Sequence, residues 1–323
     1  MFLGIDVSKA TLDVALLVEP GAPKARHKVF SNTPQGHEQL LEWLRSCGAA
    51  TLHATLEATG TYAEAVAVAL HEAGHGVSLV NPALVRAFGQ SQLKRTKTDK
   101  ADAILIARFC ALHKPSLWHP PAPEVRELQA LVRRVEALEE MKQMEENRLE
   151  GASCGVVRAS LLDHIAYLQS QIESARRQIQ GHIQAHPVLG EQSRLLCSIP
   201  GIGEVTAAVI LAEVGEFSHF NSARQVAAFA GLVPRLRESG SSVRGRPRLS
   251  KVGSPRLRKC LYFPAMTALR WNPLIKALGL RLSAQGKPKM LILGAAMRKL
   301  LHLAYGVLKS GKPFDANFCS QTT

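Results

Sequence analysis

The stretch FLGIDVSKATLDVALL, residues 2–17, decides the fold of the first part of the chain. It contains two β-rich runs, Phe2–Asp6 and Leu12–Leu17, separated by a gap of turn length, and a third such run, Arg26–Phe30, follows. Three short strands so close together in sequence predict a meander. The sheet therefore begins at the N-terminus and continues outward from there.

Helices and strands alternate after these three strands. The apolar periodicity predicts, in order, a helix over Gln35–Arg45, a strand over Leu52–Glu57, a helix over Tyr62–Ala73, a strand over Gly76–Val80, and helices over Pro82–Phe88 and Asp99–Leu112. The order β-β-β-α-β-α-β-α predicts a mixed sheet covered by helices. The predicted fold class is α/β at the N-terminus followed by α.

The 323 residues divide into three predicted regions: an α/β domain over 1–120, a helical hairpin over 121–190, and a basic, mostly helical domain over 191–323. In the middle region Leu128, Leu131, Val135 and Leu138, and then Leu161, Ile165, Leu168 and Ile172, follow heptad spacing. Gly151–Gly155 separates the two runs. The hairpin either carries oligomerisation or packs on the chain's own domains.

The positive charge is concentrated at the C-terminus. The net charge is +14, and residues 191–323 hold 20 Lys and Arg against 6 Asp and Glu, whereas the two preceding regions nearly balance. A dense basic run suits a polyphosphate partner, with a solvated basic loop as the alternative. The predicted nucleic-acid contacts are Arg235, Arg237, Arg244, Arg246, Arg248, Lys251, Arg256, Arg258 and Lys259.

Composition also restricts the setting. The six cysteines are far apart, without a Cys-x-x-Cys pair, and are expected to be reduced and mostly buried. The N-terminus starts directly with a strand pattern, and no uncharged apolar run reaches the roughly 20 residues of a membrane span. These features predict a cytoplasmic protein without a membrane partner, associated with the nucleoid when active.

Four carboxylates lie at the ends of predicted strands or at the start of a predicted helix, where catalytic residues are expected. Asp6 ends the first strand, Glu57 ends the fourth, and Asp99 and Asp102 share one face at the start of a helix. Converging carboxylates repel one another unless divalent cations hold them, and hard oxygen ligands select Mg²⁺, or else Mn²⁺. Each acid also has an ordinary explanation, as a strand-end, loop, capping or first-turn residue. Their joint placement favours a metal site on an RNase H-like fold.

A serine cluster lies within the basic run. Glu238–Gly245 contains Ser239, Ser241 and Ser242, and a small hydroxyl among arginines can approach a phosphate closely and attack it. A flexible Ser/Gly loop is the alternative, and the chemistry alone does not choose among the three serines. A second glycine-rich turn, Ile199–Gly203, resembles that of a helix-hairpin-helix, or is a plain tight turn.

Seven segments together carry a resemblance to a known family. They are Gly4–Lys9, Glu57–Tyr62, Asn81-Pro82, Lys97–Ala103, Ile199–Gly203, Ala228–Leu232 and Ser239–Gly245. In this order they resemble the insertion-sequence transposases of the "one-ten" family, which join a RuvC-like domain to a C-terminal transposase domain. The resemblance spans nearly the whole chain.

The resemblance implies a function: RNA-guided cleavage and exchange of DNA strands. It implies that Asp6, Glu57, Asp99 and Asp102 bind Mg²⁺ and that Ser239 forms a covalent phosphoserine link to DNA. The implied partners are donor and target DNA, a structured noncoding "bridge" RNA, and further copies of the chain in a dimer or tetramer. In such an assembly the RuvC-like domain of one subunit meets the serine domain of another.

Three other functions compete with this one. A RuvC-like structure-specific nuclease, such as a Holliday-junction resolvase, explains the acids and the charge but leaves the serine cluster without a role. A sugar-kinase or actin-like ATPase shares the Gly4–Lys9 pattern but requires a C-terminal nucleotide site that the basic helical region does not suggest. A non-catalytic nucleic-acid-binding scaffold would need none of the four carboxylates.

Overall fold

The computed structural model describes residues 1–58, 62–92, 98–239 and 243–317, without the side chains of 236–247. Within these residues the chain forms two compact units, Met1–Pro120 and Pro121–Thr323. The helical hairpin and the C-terminal helices thus belong to one unit. The predicted further boundary at residue 190 stays a prediction.

The first unit is a five-stranded sheet with four helices. Its elements are β1 (Phe2–Val7), β2 (Thr11–Leu17), β3 (Arg26–Ser31), α1 (Pro34–Ser46), β4 (His53–Glu57), α2 (Tyr62–Glu72), β5 (Gly76–Val80), α3 (Pro82–Ser91) and α4 (Asp99–His113). The strand order is β3-β2-β1-β4-β5. β1 pairs antiparallel with β2 and parallel with β4. The predicted element order and the mixed sheet are confirmed.

β1 lies at the centre of this sheet and α4 covers it closely. Leu3 and Ile5 are fully buried. A Cβ at Gly4 would overlap the backbone nitrogen of Ala107 and the carbonyl oxygen of Ala103, and would lie 2.8 Å from the Cα of Ala107. Only glycine allows the helix backbone to approach the strand this closely.

The second unit is mostly helical, as predicted. Its helices are α5 (Pro123–Gly151), α6 (Gly155–Ala185), α7 (Pro187–Cys197), α8 (Glu204–Val214), α9 (Ala223–Phe229), α10 (Pro255–Cys260), α11 (Tyr262–Trp271), α12 (Pro273–Ala284) and α13 (Lys289–Ser310), with a short 3₁₀ turn at Phe217–His219. Two strands, β6 (Pro234–Ser239) and β7 (Val243–Leu249), pair antiparallel.

The β6–β7 hairpin was not predicted. The basic, glycine- and serine-rich composition of this stretch favoured a helical domain interrupted by a loop. The alternation of residues 234–239 instead suits a strand, and Arg235 pairs with Arg248 near the base of the hairpin. Only residues 240–242, at its tip, lie outside the described residues.

α5 and α6 are connected by three residues and pack along the predicted seam. The buried apolar residues lie toward the start of α5 and the end of α6: Val125, Leu128, Val132, Val135 and Leu138, and Leu168, Ile172, Ala175, Ile179 and Ile183. Leu161 and Ile165, at the other end of the seam, are only partly buried. The end of the hairpin near residues 141–167 therefore leaves apolar side chains accessible.

Among the described helices, α13 is long and apolar enough to cross a membrane. Half of its most apolar stretch is buried inside the structure. Leu300, Leu301 and Ala304 are fully buried in the main core of the second unit. This pattern is typical of a core helix.

Candidate active site

The ends of β1 and β4 bring two of the predicted acids to one sheet edge. The two strands are parallel neighbours, and Ile5 pairs with Leu56. Asp6 and Glu57 are each the next residue along, so they emerge side by side where the buried strands end. The adjacency of the first and fourth strands is the condition for these two acids to emerge at the same edge, and the sheet order meets it.

The other two acids lie in the first turn of α4. Thr98 caps this helix, since its Oγ1 accepts a hydrogen bond from the Ala101 backbone at 3.2 Å. Asp99 is exposed and Asp102 is half-buried. The positive end of the helix dipole stabilises both carboxylates there. The contact of α4 with β1 at Gly4 fixes this helix relative to Asp6.

Asp6 lies within electrostatic range of three other aspartates. Burial raises the pKa of Asp6 above its ordinary carboxyl value, and the negative charges of Asp102, Asp99 and Asp13 raise it further, against a backbone hydrogen bond at Val7 that lowers it. Burial and like charge both disfavour the ionised form. Burial and the neighbouring negative charges thus both oppose ionisation of Asp6.

The donor set fits a hard divalent cation. Carboxylate oxygens are the ligands that Mg²⁺ and Mn²⁺ prefer, and a cation would relieve the repulsion at Asp6. Within residues 1–58, 62–92, 98–239 and 243–317, however, no three Asp, Glu, His or Cys side chains already lie close enough to hold a metal ion. Coordination therefore requires the acidic side chains to draw closer together.

Asp13 is a fifth carboxylate near this site, and the sequence analysis did not identify it. It is the direct cross-strand partner of Asp6 on β2. Its Oδ1 lies 2.9 Å from Nε2 of His27 on β3. The predicted meander makes these two strands antiparallel neighbours, and their register then decides that the two aspartates lie opposite each other.

Ser239 lies in the second unit, as the last residue of β6. Its backbone pairs with Val243, directly beside the tip of the hairpin. The structure describes the backbone of Ser239 but not its side chain. Ser241 and Ser242 lie outside the described residues. We call the two-stranded β6–β7 hairpin the arm, and Ser239 lies at the end of its first strand.

The Ala228–Leu232 segment anchors the base of this arm. The backbone of Ser250 donates to Val233 at 2.9 Å, and that of Lys251 donates to Gly231 at 3.2 Å. Gly231 has a φ of +67°, which favours glycine. Arg258 donates through Nη1 to the carbonyl of Ala230 at 3.0 Å. The arm is therefore held at its base by backbone and guanidinium hydrogen bonds.

Some of the predicted nucleic-acid contacts are exposed, whereas others already pair with a carboxylate of the protein. Arg235, Arg248 and Lys251 are exposed, whereas the side chains of Arg237, Arg244 and Arg246 are outside the description. Arg256 instead pairs with Glu136 at 2.7 Å and lies 3.8 Å from Glu213, and Lys259 lies 3.8 Å from Glu140. Arg258 supports the arm, as described above. The exposed members offer the most charge to a phosphate.

The glycine-rich turn at Ile199–Gly203 has a packing role. Gly201 has a φ of +110°, and a Cβ there would lie 2.8 Å from the Cβ of Ala268 on α11. The amide of the fully buried Asn272 donates to the carbonyl of Pro200 at 3.3 Å. These contacts favour the tight-turn interpretation of this segment.

Comparison with known proteins supports the assignment of both units. The DEDD transposase model of the IS110 type matches residues 3–152, and the model of the IS116/IS110/IS902 transposase family matches residues 193–279. The chain is 35% identical to the pilin gene-inverting protein of Moraxella bovis over 317 residues, 97% of each chain. It is 29% identical over 296 residues to the transposase of insertion element IS1328 from Yersinia enterocolitica, covering 80% of this chain and 81% of that one.

A mixed α/β unit with acids at its sheet edge, followed by a basic helical unit, defines a DNA-processing enzyme. The chain belongs to the IS116/IS110/IS902 family of transposases. It is accordingly a DNA transposase or recombinase. The resemblance noted from the sequence motifs is confirmed.

Proposed function

We propose that this protein cleaves and exchanges DNA strands through a metal-binding acidic site and a serine nucleophile. The single observation that carries the proposal is the placement of Asp6 beside Glu57 at the ends of β1 and β4, with Asp99 and Asp102 on the helix that packs over β1. In this proposal the first unit is RuvC-like. It would hold Mg²⁺, or Mn²⁺, through these four carboxylates.

The metal would lower the charge at a scissile phosphodiester and orient its oxygens. The protein's own contribution is to fix the backbone positions from which the four carboxylates would draw together around the cation. Gly4 sets the distance between β1 and α4, and the Thr98 cap fixes the start of the helix. His27 holds Asp13 next to this group.

In the proposed cleavage step the Ser239 Oγ attacks the phosphorus. One Oγ–P bond forms and one ester bond between phosphorus and a deoxyribose oxygen breaks. The serine hydroxyl loses a proton and the released sugar hydroxyl gains one, so the step is balanced in atoms and charge. Strand joining reverses this step with a different sugar hydroxyl, which conserves the energy of the phosphodiester.

The two halves of the site are proposed to come from different subunits. The accessible apolar side chains at the end of the α5–α6 hairpin support oligomerisation, since Val156 is 81% exposed and Tyr167 is 59% exposed. Mixing Asp99→Ala protein with Ser239→Ala protein is then expected to restore activity that neither has alone. Absence of recovery at every mixing ratio would contradict a shared site.

We also propose that a structured noncoding RNA guides the enzyme to its DNA sites. The family resemblance supports this partner, and the exposed Arg235 and Arg248 offer charge to a nucleic-acid backbone. The test is to express the protein with its native flanking DNA, purify it and sequence the RNA that accompanies it. One discrete species from the flank is expected. Heterogeneous RNA or none would contradict guidance.

The similarity to pilin gene-inverting proteins favours inversion as a second outcome of the same chemistry. Strand exchange between two sites inverts a segment when both sites lie in opposite orientation on one DNA molecule. Two plasmids that differ only in the relative orientation of the sites distinguish inversion from excision.

The proposed acidic site is tested with Asp99→Asn, assayed for plasmid recombination and DNA binding. Recombination is expected to fall below detection while DNA binding is retained, because the amide is a weaker metal ligand at nearly the same volume. Glu72→Gln, an exposed acid at the end of α2, is the matched control and is expected to behave as wild type. Full activity of Asp99→Asn would contradict the assignment.

A further inference from the structure

The helix α11 has an inverted distribution of side chains. Its buried residues are small, since Ala265 and Ala268 are both fully buried. Its aromatic side chains are exposed, since Phe263 and Trp271 are each 73% exposed and Tyr262 is 36% exposed, whereas Leu269 packs partly buried against the core. An ordinary amphipathic helix buries its large apolar side chains, so this exposure indicates a surface made for a partner.

The exposed residues form two adjacent rows, which together we call the aromatic stripe: Tyr262, Met266 and Arg270 in one row, and Phe263, Thr267 and Trp271 in the other. At 100° per residue these positions cover one half of the helix surface. The rings of Tyr262 and Phe263 already contact each other edge-to-face, with centroids 5.3 Å apart. The opposite side of the helix is held in place by the Gly201 turn, which approaches Ala268.

The charge around the stripe identifies the partner's chemistry. Between Glu238 and Asp315 the sequence holds no acidic residue and 16 Lys and Arg. Arg270 lies within the stripe, and Lys276 on the next helix is exposed. The charges of Arg270 and Lys276 attract a polyanion, and Glu136, Glu139 and Glu204 line the cavity on the Phe263 side. Exposed aromatic rings among cations are the features with which proteins hold unpaired nucleic-acid strands.

We propose that the aromatic stripe binds an unpaired DNA strand by stacking its bases on Trp271, Phe263 and Tyr262. The partner is DNA because the family acts on DNA, and strand exchange exposes unpaired bases. The eight-residue step from Phe263 to Trp271, which lie in the same row, spans about 12 Å of helix. At roughly 3.4 Å per nucleotide of one strand, the stripe matches about four stacked nucleotides. This inference rests on the proposed strand exchange.

The test measures binding of a deoxythymidine oligonucleotide of about 12 nucleotides, within the usual site sizes of single-strand-binding proteins. The comparison ligands are an abasic strand of equal length, a uridine RNA of equal length and a DNA duplex. The variants are Trp271→Leu and Trp271→Phe. Val188→Ala is the control, because Val188 is an exposed apolar residue on α7, outside the basic segment.

Trp271→Leu is expected to weaken binding of the thymidine strand roughly 5- to 100-fold, the effect of removing a base-stacking side chain. Trp271→Phe keeps a ring and is expected to restore most of the affinity, and Val188→Ala is expected to match wild type. The wild-type protein is expected to prefer the thymidine strand over the abasic one, because the two share phosphates and differ only in bases.

Unchanged affinity of Trp271→Leu for the thymidine strand, or equal affinity of the wild-type protein for the thymidine and abasic strands, would overturn the proposal. Binding of the DNA duplex in that case would leave the proposed function intact. Tighter binding of the RNA would overturn the choice of DNA. A Trp271→Leu protein that changes oligomeric state but not DNA affinity would assign the stripe to a protein contact instead. Loss of binding to every DNA ligand by wild-type protein would overturn the proposed function itself.

Discussion

Replacing Gly4 with alanine tests how the acidic site is assembled. The added Cβ would overlap the backbone of α4 at Ala103 and Ala107. Because the obstruction is backbone, no side chain can rotate away to relieve it. α4 must therefore move away from β1, and it carries Asp99 and Asp102 with it.

The size of this movement follows from the structure. The new Cβ would lie 2.8 Å from the Cα of Ala107. Carbon atoms in contact lie about 3.5–4.0 Å apart, so the helix must retreat by about 1 Å. Overpacking of this kind typically costs about 1–3 kcal/mol of folding free energy. A misplacement of about 1 Å in a catalytic group costs on the order of 100-fold in rate.

Two assays separate the effects of Gly4→Ala. Thermal unfolding followed by circular dichroism is expected to show a midpoint lowered by about 8 °C in the transition of the first unit. Recombination measured well below that midpoint is expected to fall on the order of 100-fold. Gly89→Ala is the control, because its Cβ would meet only the end of the Leu105 side chain, at 2.9 Å. Wild-type recombination by Gly4→Ala would refute the reasoning.

Two further predictions concern the thiols and the exposed arginines. Cys154 is exposed, and hydrogen bonds from the backbone of Val157 and Val156 lower its pKa, whereas burial raises that of Cys260 to about 12. Mass spectrometry after brief alkylation at neutral pH is expected to find label on the Cys154 peptide and none on that of Cys260; equal labelling would contradict this. Arg248→Ala is expected to reduce the salt dependence of DNA binding by about one phosphate contact, whereas Arg256→Ala is not, because Glu136 already neutralises Arg256. Equal slopes for the two variants would contradict the assignment of Arg248 to the DNA surface.

The first unit was predictable because its signals are local. Strands such as β1 and β5 combine apolar runs with turn-forming neighbours, and the three N-terminal strands follow one another so closely that a meander is the simple topology. The adjacency of β1 and β4 was a conditional expectation, and the sheet order settles it. Asp13 was missed because its relation to Asp6 depends on the exact register of the β1–β2 pair.

The second unit was harder to predict because its decisive features depend on tertiary contacts. The strands β6 and β7 lie in a basic segment whose serines and glycines favour loops, and they gain stability from pairing with each other. The burial pattern of α11 cannot be recognised from the sequence. The small Ala265 is buried and the large Tyr262 is exposed, the opposite of what their sizes predict. The internal pairing of Arg256 is also invisible at that level, since Glu136 is distant in sequence.

The most direct test of the proposed mechanism is to look for the covalent link itself. The protein is incubated with the proposed guide RNA and a DNA substrate, denatured and digested, and the peptide that carries nucleotide is identified by mass spectrometry. The account predicts an adduct on Ser239 that disappears in Ser239→Ala and persists in Ser241→Ala and Ser242→Ala. An adduct that persists in Ser239→Ala, or complete recombination without any adduct, would contradict the account.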